Sequence, residues 1–171
     1  IDSNDKTRTS ENKGYTQQNG SYGYYIPSSL RKVTITNDTS IPYYAFQNCD
    51  LIEIIVLPGN VESFGYCAFQ NCTSLKSVKI PNSVTNIGNY AFGGCTSLVS
   101  IVIPDGVTAI KTFAFSFCDA LTSVIIGKGV NSFVQGAFFN SPVETVYFNA
   151  QEPAVGLELV TGYRYFTTSP T

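Results

Sequence analysis

The sequence contains no histidine and few charged residues. Its 171 residues include 10 Lys and Arg and 12 Asp and Glu, or 13% charged residues, against about 25% in ordinary soluble domains. The net charge of -2 excludes the basic footprint of a nucleic-acid-binding protein and the polybasic patch of a membrane-binding one. Without histidine, the chain lacks the commonest general base and metal ligand. It also lacks any apolar run of about 18 residues, so no segment is predicted to span a bilayer.

What the sequence does contain is an internal repeat of 23 residues. The dipeptide Ala-Phe recurs five times at this spacing, at Ala45-Phe46, Ala68-Phe69, Ala91-Phe92, Ala114-Phe115 and Ala137-Phe138. A cysteine column follows it, at Cys49, Cys72, Cys95 and Cys118, with Ser141 in the last copy. This regular spacing predicts a repeat solenoid in which each copy forms one coil. The Phe and Cys columns are predicted to form its structural core.

Each copy also contains an apolar triplet followed by a turn. In one copy the triplet is Leu98, Ile101 and Ile103, and Pro104-Asp105-Gly106 follows it. The alternation around Val102 is that of a β-strand, with the flanking isoleucines on the inner face. Because one coil cannot bury that face alone, neighbouring coils are expected to stack their strands in parallel, about 4.8 Å apart.

The rest of the coil is expected to hold shorter elements. Val84 and Ile87 indicate a second short strand or extended segment. The steps of four, four and three residues that separate Ile87, Ala91, Cys95 and Leu98 are helical. They predict a single helical or 3₁₀ turn in each coil. The expected fold is therefore mainly β, with a parallel sheet on one face and short helical turns.

The ends of the array are imperfect copies. The solenoid is predicted to extend from about residue 22 to about residue 150, with degenerate first and last repeats. Residues 1–21 are rich in Asn, Ser, Thr, Lys, Gln and Gly, which predicts a flexible linker or arm. Residues 151–171 are expected to fold over the last coil as a cap, or to form a tail that leads to a further domain. A chain of this length is one domain or a piece of a longer protein.

The segment IPNSVTNIGNYAFGGCTSLVSIVIP, residues 80–104, resembles the BspA-type leucine-rich repeat. The resemblance covers roughly residues 23–148. It implies a right-handed solenoid with a parallel sheet on one face, in a secreted or cell-surface protein of mouth or gut bacteria or parasitic protozoa. Adhesion to host matrix proteins, host cells or other microbes is implied as well. One departure from ordinary leucine-rich repeats is that the cysteine precedes the apolar triplet.

The five cysteines are predicted to be structural. Four share one repeat column, so they are expected to be buried free thiols packed as small hydrophobic groups. Neighbouring coils would bring the Cα atoms of these cysteines within disulfide range, so the distance alone does not exclude a disulfide bridge. Cys67 lies in the column of Tyr44, Tyr90 and Phe113, and we expect it to be irregular and partly exposed.

No catalytic or cofactor site is predicted. Zinc is not expected, because Cys67 and Cys72 have no second cysteine pair and no histidine to complete four ligands. A cysteine nucleophile would lack a histidine base, and no two carboxylates are paired within a repeat column, although an acid pair across coils stays possible. There is no phosphate-binding glycine motif either. The chain is therefore predicted not to be an enzyme and to hold no cofactor.

The outward strand positions are the candidate ligand contacts. Two strand positions face away from the core: the residue between the last two apolar positions, and the residue two before it. Several of these residues are apolar here, where solvated sheets usually alternate with polar residues. The candidates are Ile54, Val56, Lys79, Val102, Ile125 and Tyr147. An exposed apolar stripe often marks a contact surface. Simple β-propensity and coverage by residues 151–171 are two alternative reasons for apolar residues at these positions.

Two functional hypotheses follow from these observations. In the first, the chain is an extracellular or cell-surface module that binds a protein or glycoprotein through its sheet face, with no nucleic-acid partner and no membrane insertion. In the second, it is a passive spacer or stalk of a larger surface protein. An uncovered apolar stripe distinguishes them, since a spacer has no reason to keep one.

Overall fold

The computed structural model describes residues 30–149 and, at the level of the backbone, two strands at 157–159 and 166–168. The predicted arm, 1–21, lies outside the described residues. So does the predicted cap or tail, 151–171, apart from those two strands. Thirteen strands occur in the described part of the chain. In order they are β1 (Lys32–Thr34), β2 (Ser40–Ile41), β3 (Ile54–Val56), β4 (Ser63–Phe64), β5 (Ser77–Val78), β6 (Asn86–Ile87), β7 (Ser100–Ile103), β8 (Ala109–Ile110), β9 (Ser123–Ile126), β10 (Ser132–Phe133), β11 (Thr145–Phe148), β12 (Leu157–Leu159) and β13 (Phe166–Thr168).

Strands β1 to β11 form two columns, so each coil contributes to two parallel sheets. The main column contains β1, β3 and β5 followed by β7, β9 and β11. The second contains β2, β4 and β6 followed by β8 and β10. Every pair within these columns is parallel. The expected repeat solenoid is confirmed, and the segment around Ile87 forms the second strand predicted for it.

The core lies between the two strand columns and the Ala-Phe segments. In β7 of the main column the inward Ile101 and Ile103 are buried and the outward Ser100 and Val102 are exposed. In the last strand, β11, the inward Val146 and Phe148 are partly buried. This is the period-two pattern of a strand with one buried face. Each inward residue packs on its equivalents in the neighbouring coils, so the core is continuous along the array.

The predicted helical turn is wrong, because no helix forms in residues 30–149. Between Tyr90 and Cys95 the N–H groups alternate: every second one donates within its own coil, three residues back, and the others donate to the next coil. Phe92, for example, donates to the carbonyl of Ala114 at 2.9 Å. Tyr90 and Gly94 also have positive φ, at 56° and 73°. A helix cannot continue through such residues, and half of its hydrogen bonds are used between coils.

Strands β12 and β13 pair antiparallel with each other. Strand β13 lies near β10, the last strand of the second column. The described backbone of this hairpin is therefore adjacent to the second column of the solenoid. No helix in the described part of the chain is both long and apolar enough to cross a membrane.

Candidate binding surface

The five phenylalanines of the repeat form one ladder of stacked rings inside the solenoid. Phe92 lies between Phe69 and Phe115, with ring centroids 5.1 and 5.4 Å away and interplanar angles of 18° and 2°. All five side chains are at most 1% exposed. The ladder is a packing element: it holds the coils together and leaves no ring face free for a ligand.

The cysteine column is a hydrogen-bonded ladder as well as part of the core. The Cys95 thiol donates to the carbonyl of Phe69 in the preceding coil, with 3.2 Å between Sγ and O. Cys72 and Cys118 make the same bond to their own preceding coils, at 3.1 and 3.2 Å. These thiols therefore point along the axis of the solenoid, toward the preceding coil. Each donates a hydrogen bond to a backbone carbonyl of that coil.

Burial makes these thiols poor nucleophiles. It raises the pKa of Cys49 and of Cys118 from an ordinary value near 9 to about 12, and it raises the pKa of Cys72 and Cys95 as well. The thiols are therefore protonated at neutral pH, whereas nucleophilic and metal-binding cysteines need the thiolate. None of the five cysteines, all within the described residues, forms a disulfide. Among the described residues, no group of three or more His, Cys, Asp and Glu is placed to hold a metal ion.

The prediction that Cys67 is partly exposed is wrong, since only 2% of this residue is exposed. Its side chain is smaller than the tyrosines above and below it in the repeat column. The ring of the preceding residue, Tyr66, fills the gap and lies 5.3 Å from the Tyr44 ring and 5.9 Å from the Tyr90 ring. Burial raises the pKa of the Cys67 thiol. The sequence signal was present, because an aromatic residue directly precedes the small one.

The main sheet face carries the candidate contact residues. Val102, Ile125 and Tyr147 are direct partners on the neighbouring strands β7, β9 and β11. They are 53%, 37% and 58% exposed. Ile54 and Val56 on β3 are exposed too, and Lys79 follows β5 on the same face. The structure thus places all six candidates on one surface.

Val99 borders this surface, directly before β7, and was not identified from the sequence. It is 53% exposed. Its equivalents in the three preceding coils are Arg31, Glu53 and Lys76, all charged. The signal that could have identified it is this break in the column, where a valine replaces charged residues. We call Val99, Val102, Ile125 and Tyr147 the apolar patch.

In the first three coils the same face carries several positively charged side chains. Arg31, Lys32, Lys76 and Lys79 are exposed there, and we call them the cationic patch. The carboxylate of Glu53 lies between two of them, 3.8 Å from the Arg31 guanidinium and 3.3 Å from the Lys76 ammonium. Exposed ion pairs of this kind contribute at most about 1 kcal/mol to stability, so these charges remain available to a partner.

Comparison with known families identifies the repeat. Residues 39–157 match the model described as BspA type leucine rich repeat region, in six copies. The chain belongs to the BspA-type leucine-rich repeat family. The resemblance inferred from the Ala-Phe and cysteine columns is thereby confirmed. No curated protein matches this chain.

Solved structures of bacterial leucine-rich repeat proteins are similar to this BspA-type chain. The leucine rich repeat protein of T. pallidum is 26% identical, with a TM-score of 0.66, over 71% of this chain and 60% of that protein. The pneumococcal vaccine antigen PcpA is 21% identical, with a TM-score of 0.63, over 79% and 35%. A leucine-rich repeat protein from Bacteroides ovatus ATCC 8483 is 24% identical, with a TM-score of 0.52, over 71% and 44%. The chain thus spans at most 60% of the length of these three proteins.

Proposed function

We propose that this chain is a non-catalytic binding module, secreted or displayed on a cell surface, that contacts a protein or glycoprotein through its main sheet face. The observation that carries the proposal is the apolar stripe of Val102, Ile125 and Tyr147 on three adjacent strands. Contiguous exposed apolar side chains often mark a protein-contact surface, and the buried centre of such a surface is more apolar than its rim. The extracellular location rests on the family membership and is part of the proposal.

Two further observations support the use of this face. Of the two described hairpin strands, β13 lies by β10 in the second column, and neither strand contacts a strand of the main column. Within residues 30–149, buried thiols and scattered carboxylates offer no assembled catalytic group. A passive spacer, the alternative function, would gain nothing from an apolar stripe that is exposed to water and favours aggregation.

The test is binding of the purified chain to an immobilised panel of matrix and plasma glycoproteins at about 150 mM salt. The test variant is the double substitution Val102→Lys with Ile125→Lys. The matched control is Thr85→Lys with Thr108→Lys, which adds the same charge at two exposed positions 23 residues apart, outside the main column. Saturable binding that is lost only in the first variant supports the proposal. No binding, or equal binding by the parent and both variants, favours the spacer.

A further inference from the structure

The main sheet face is divided into two chemically different halves. Its first three coils carry the four cations of the cationic patch and the single carboxylate of Glu53, a net of three positive charges on a chain whose net charge is -2. Its last three coils carry the apolar patch, with Glu144 at the far end. The rest of the chain is thus clearly acidic, and the positive charge is concentrated where the contact residues are.

The two halves are continuous. Ile54 and Val56 lie among the cations on β3, with Lys32 opposite Ile54 on β1. Lys32 and Lys79 form no ion pair within the described part of the chain. A partner would therefore meet unpaired ammonium groups around a small apolar centre, and then the larger apolar patch. A charged patch of this kind orients a partner of complementary charge and weakens the binding of partners with like charge.

Six parallel strands about 4.8 Å apart make this face about 24 Å long across the strands. An extended polypeptide rises about 3.3 Å per residue, so seven or eight residues cover that distance. We infer that the main sheet face binds one extended peptide segment of about this length, acidic where it crosses the cationic patch and apolar or aromatic where it crosses the apolar patch. This inference rests on the proposed function and specifies the chemistry of its partner.

Two different occupants fit the face less well. A second copy of the chain, related by a two-fold axis, would place the cationic patch of one copy on the apolar patch of the other. Only Glu144 would then oppose four cations, and the apolar side chains would cover charged groups. An anionic polysaccharide would pair with the cations but would leave the apolar patch exposed.

The experiment uses fluorescent pools of randomised octapeptides, titrated with the full chain and followed by polarisation. One half of each peptide is drawn from acidic, basic or neutral polar residues, and the other half from apolar or polar residues, in both orders. The charge-swap variant is Lys76→Glu with Lys79→Glu. Its matched control is Lys111→Glu with Lys128→Glu, because these two lysines lie outside the main strand column. Circular dichroism establishes that every variant folds.

The expected result is that the acidic–apolar pools bind about tenfold or more tightly than the remaining pools. The charge-swap variant should lose that preference and favour the basic–apolar pools, whereas the control should behave as the parent. Equal binding of acidic and basic pools, an unchanged preference after the charge swap, or no peptide binding would overturn the inference. So would tighter binding of heparin, or self-association that the charge swap abolishes. If the peptide experiment fails but glycoprotein binding is lost in the Val102→Lys and Ile125→Lys variant, the inference is overturned and the proposed function still holds.

Discussion

The Ser141 hydroxyl accepts a hydrogen bond from the backbone N–H of Cys118 at 3.0 Å. It also donates one to the carbonyl of Phe115 at 2.7 Å. In the three coils before it, the residue at this position is a cysteine whose thiol donates to the equivalent carbonyl. Serine therefore performs the same structural task at the end of the array, where the column again holds a small buried donor.

Replacing Ser141 by alanine should destabilise the fold by about 1–3 kcal/mol, because a buried carbonyl and a buried N–H each lose a partner. Ser141→Cys restores a donor and should cost less than Ser141→Ala. Urea unfolding measures both, with the exposed Ser100→Ala as the control. If the alanine variant were as stable as the parent, the hydrogen-bonding role of the column would be wrong.

The phenylalanine ladder should dominate the stability of the central coils. Phe92→Ala removes a fully buried ring between two stacked neighbours and should cost about 3–5 kcal/mol. Phe117→Ala makes the same chemical change at a ring that is 46% exposed, and it should cost clearly less. Lys79→Ala, on the outer face, should stay within about 0.5 kcal/mol. The midpoints of denaturant unfolding give all three values, and a cost for Lys79→Ala above about 2 kcal/mol would mean that the strand faces are reversed.

Stability should fall as the pH rises above 9. The folded-state pKa of Cys118, about 12, lies above its ordinary value near 9. The unfolded thiol therefore ionises first, and each such group lowers the free energy of unfolding as the pH passes through that window. For one thiol the loss between pH 8 and pH 10 is about 1.4 kcal/mol.

The matched variant for this pH effect is Cys118→Ser, which cannot ionise. Its free energy of unfolding should fall less than that of the parent between pH 8 and pH 10, by about 1.4 kcal/mol. Tyrosine and lysine titrate in the same range in both proteins, so the difference isolates the thiol. Identical pH profiles would show that Cys118 is equally easy to ionise in the folded and unfolded chains.

Gly136 should not tolerate a side chain. Its φ is +72°, and a Cβ there would lie 2.6 Å from the Phe113 ring. Gly136→Ala should therefore cost about 1–3 kcal/mol through backbone strain and displacement of that ring. Gly59 is the control, since nothing lies within 4 Å of a Cβ placed there. Gly59→Ala should be neutral or stabilising by up to about 1 kcal/mol, and a thermal melt that treats the two alike would contradict the assigned contact.

The repeat made much of this fold predictable. A 23-residue period puts equivalent residues of successive coils in contact. The Ala-Phe column could therefore be predicted to lie in the core, and the triplet around Ile101 to form a strand. Val102, Ile125 and Tyr147 could be placed on the outer face for the same reason. The helical turn at Tyr90–Cys95 was mispredicted because its apolar spacing is helical, while every second N–H of the segment donates to a residue 22 positions away.

The sequence by itself thus determined the number and register of the coils, since both follow from local periodicity. The tertiary structure decided what depends on neighbours one coil away. Tyr66 fills the space beside Cys67 only because Tyr44 and Tyr90 stand above and below it. Val99 lies near the other residues of the apolar patch, and the four cations lie near one another, only because the strands are stacked side by side. When the coils stack, residues that are 22 or 23 positions apart in the sequence become neighbours on one surface. That surface is where the partner is proposed to bind.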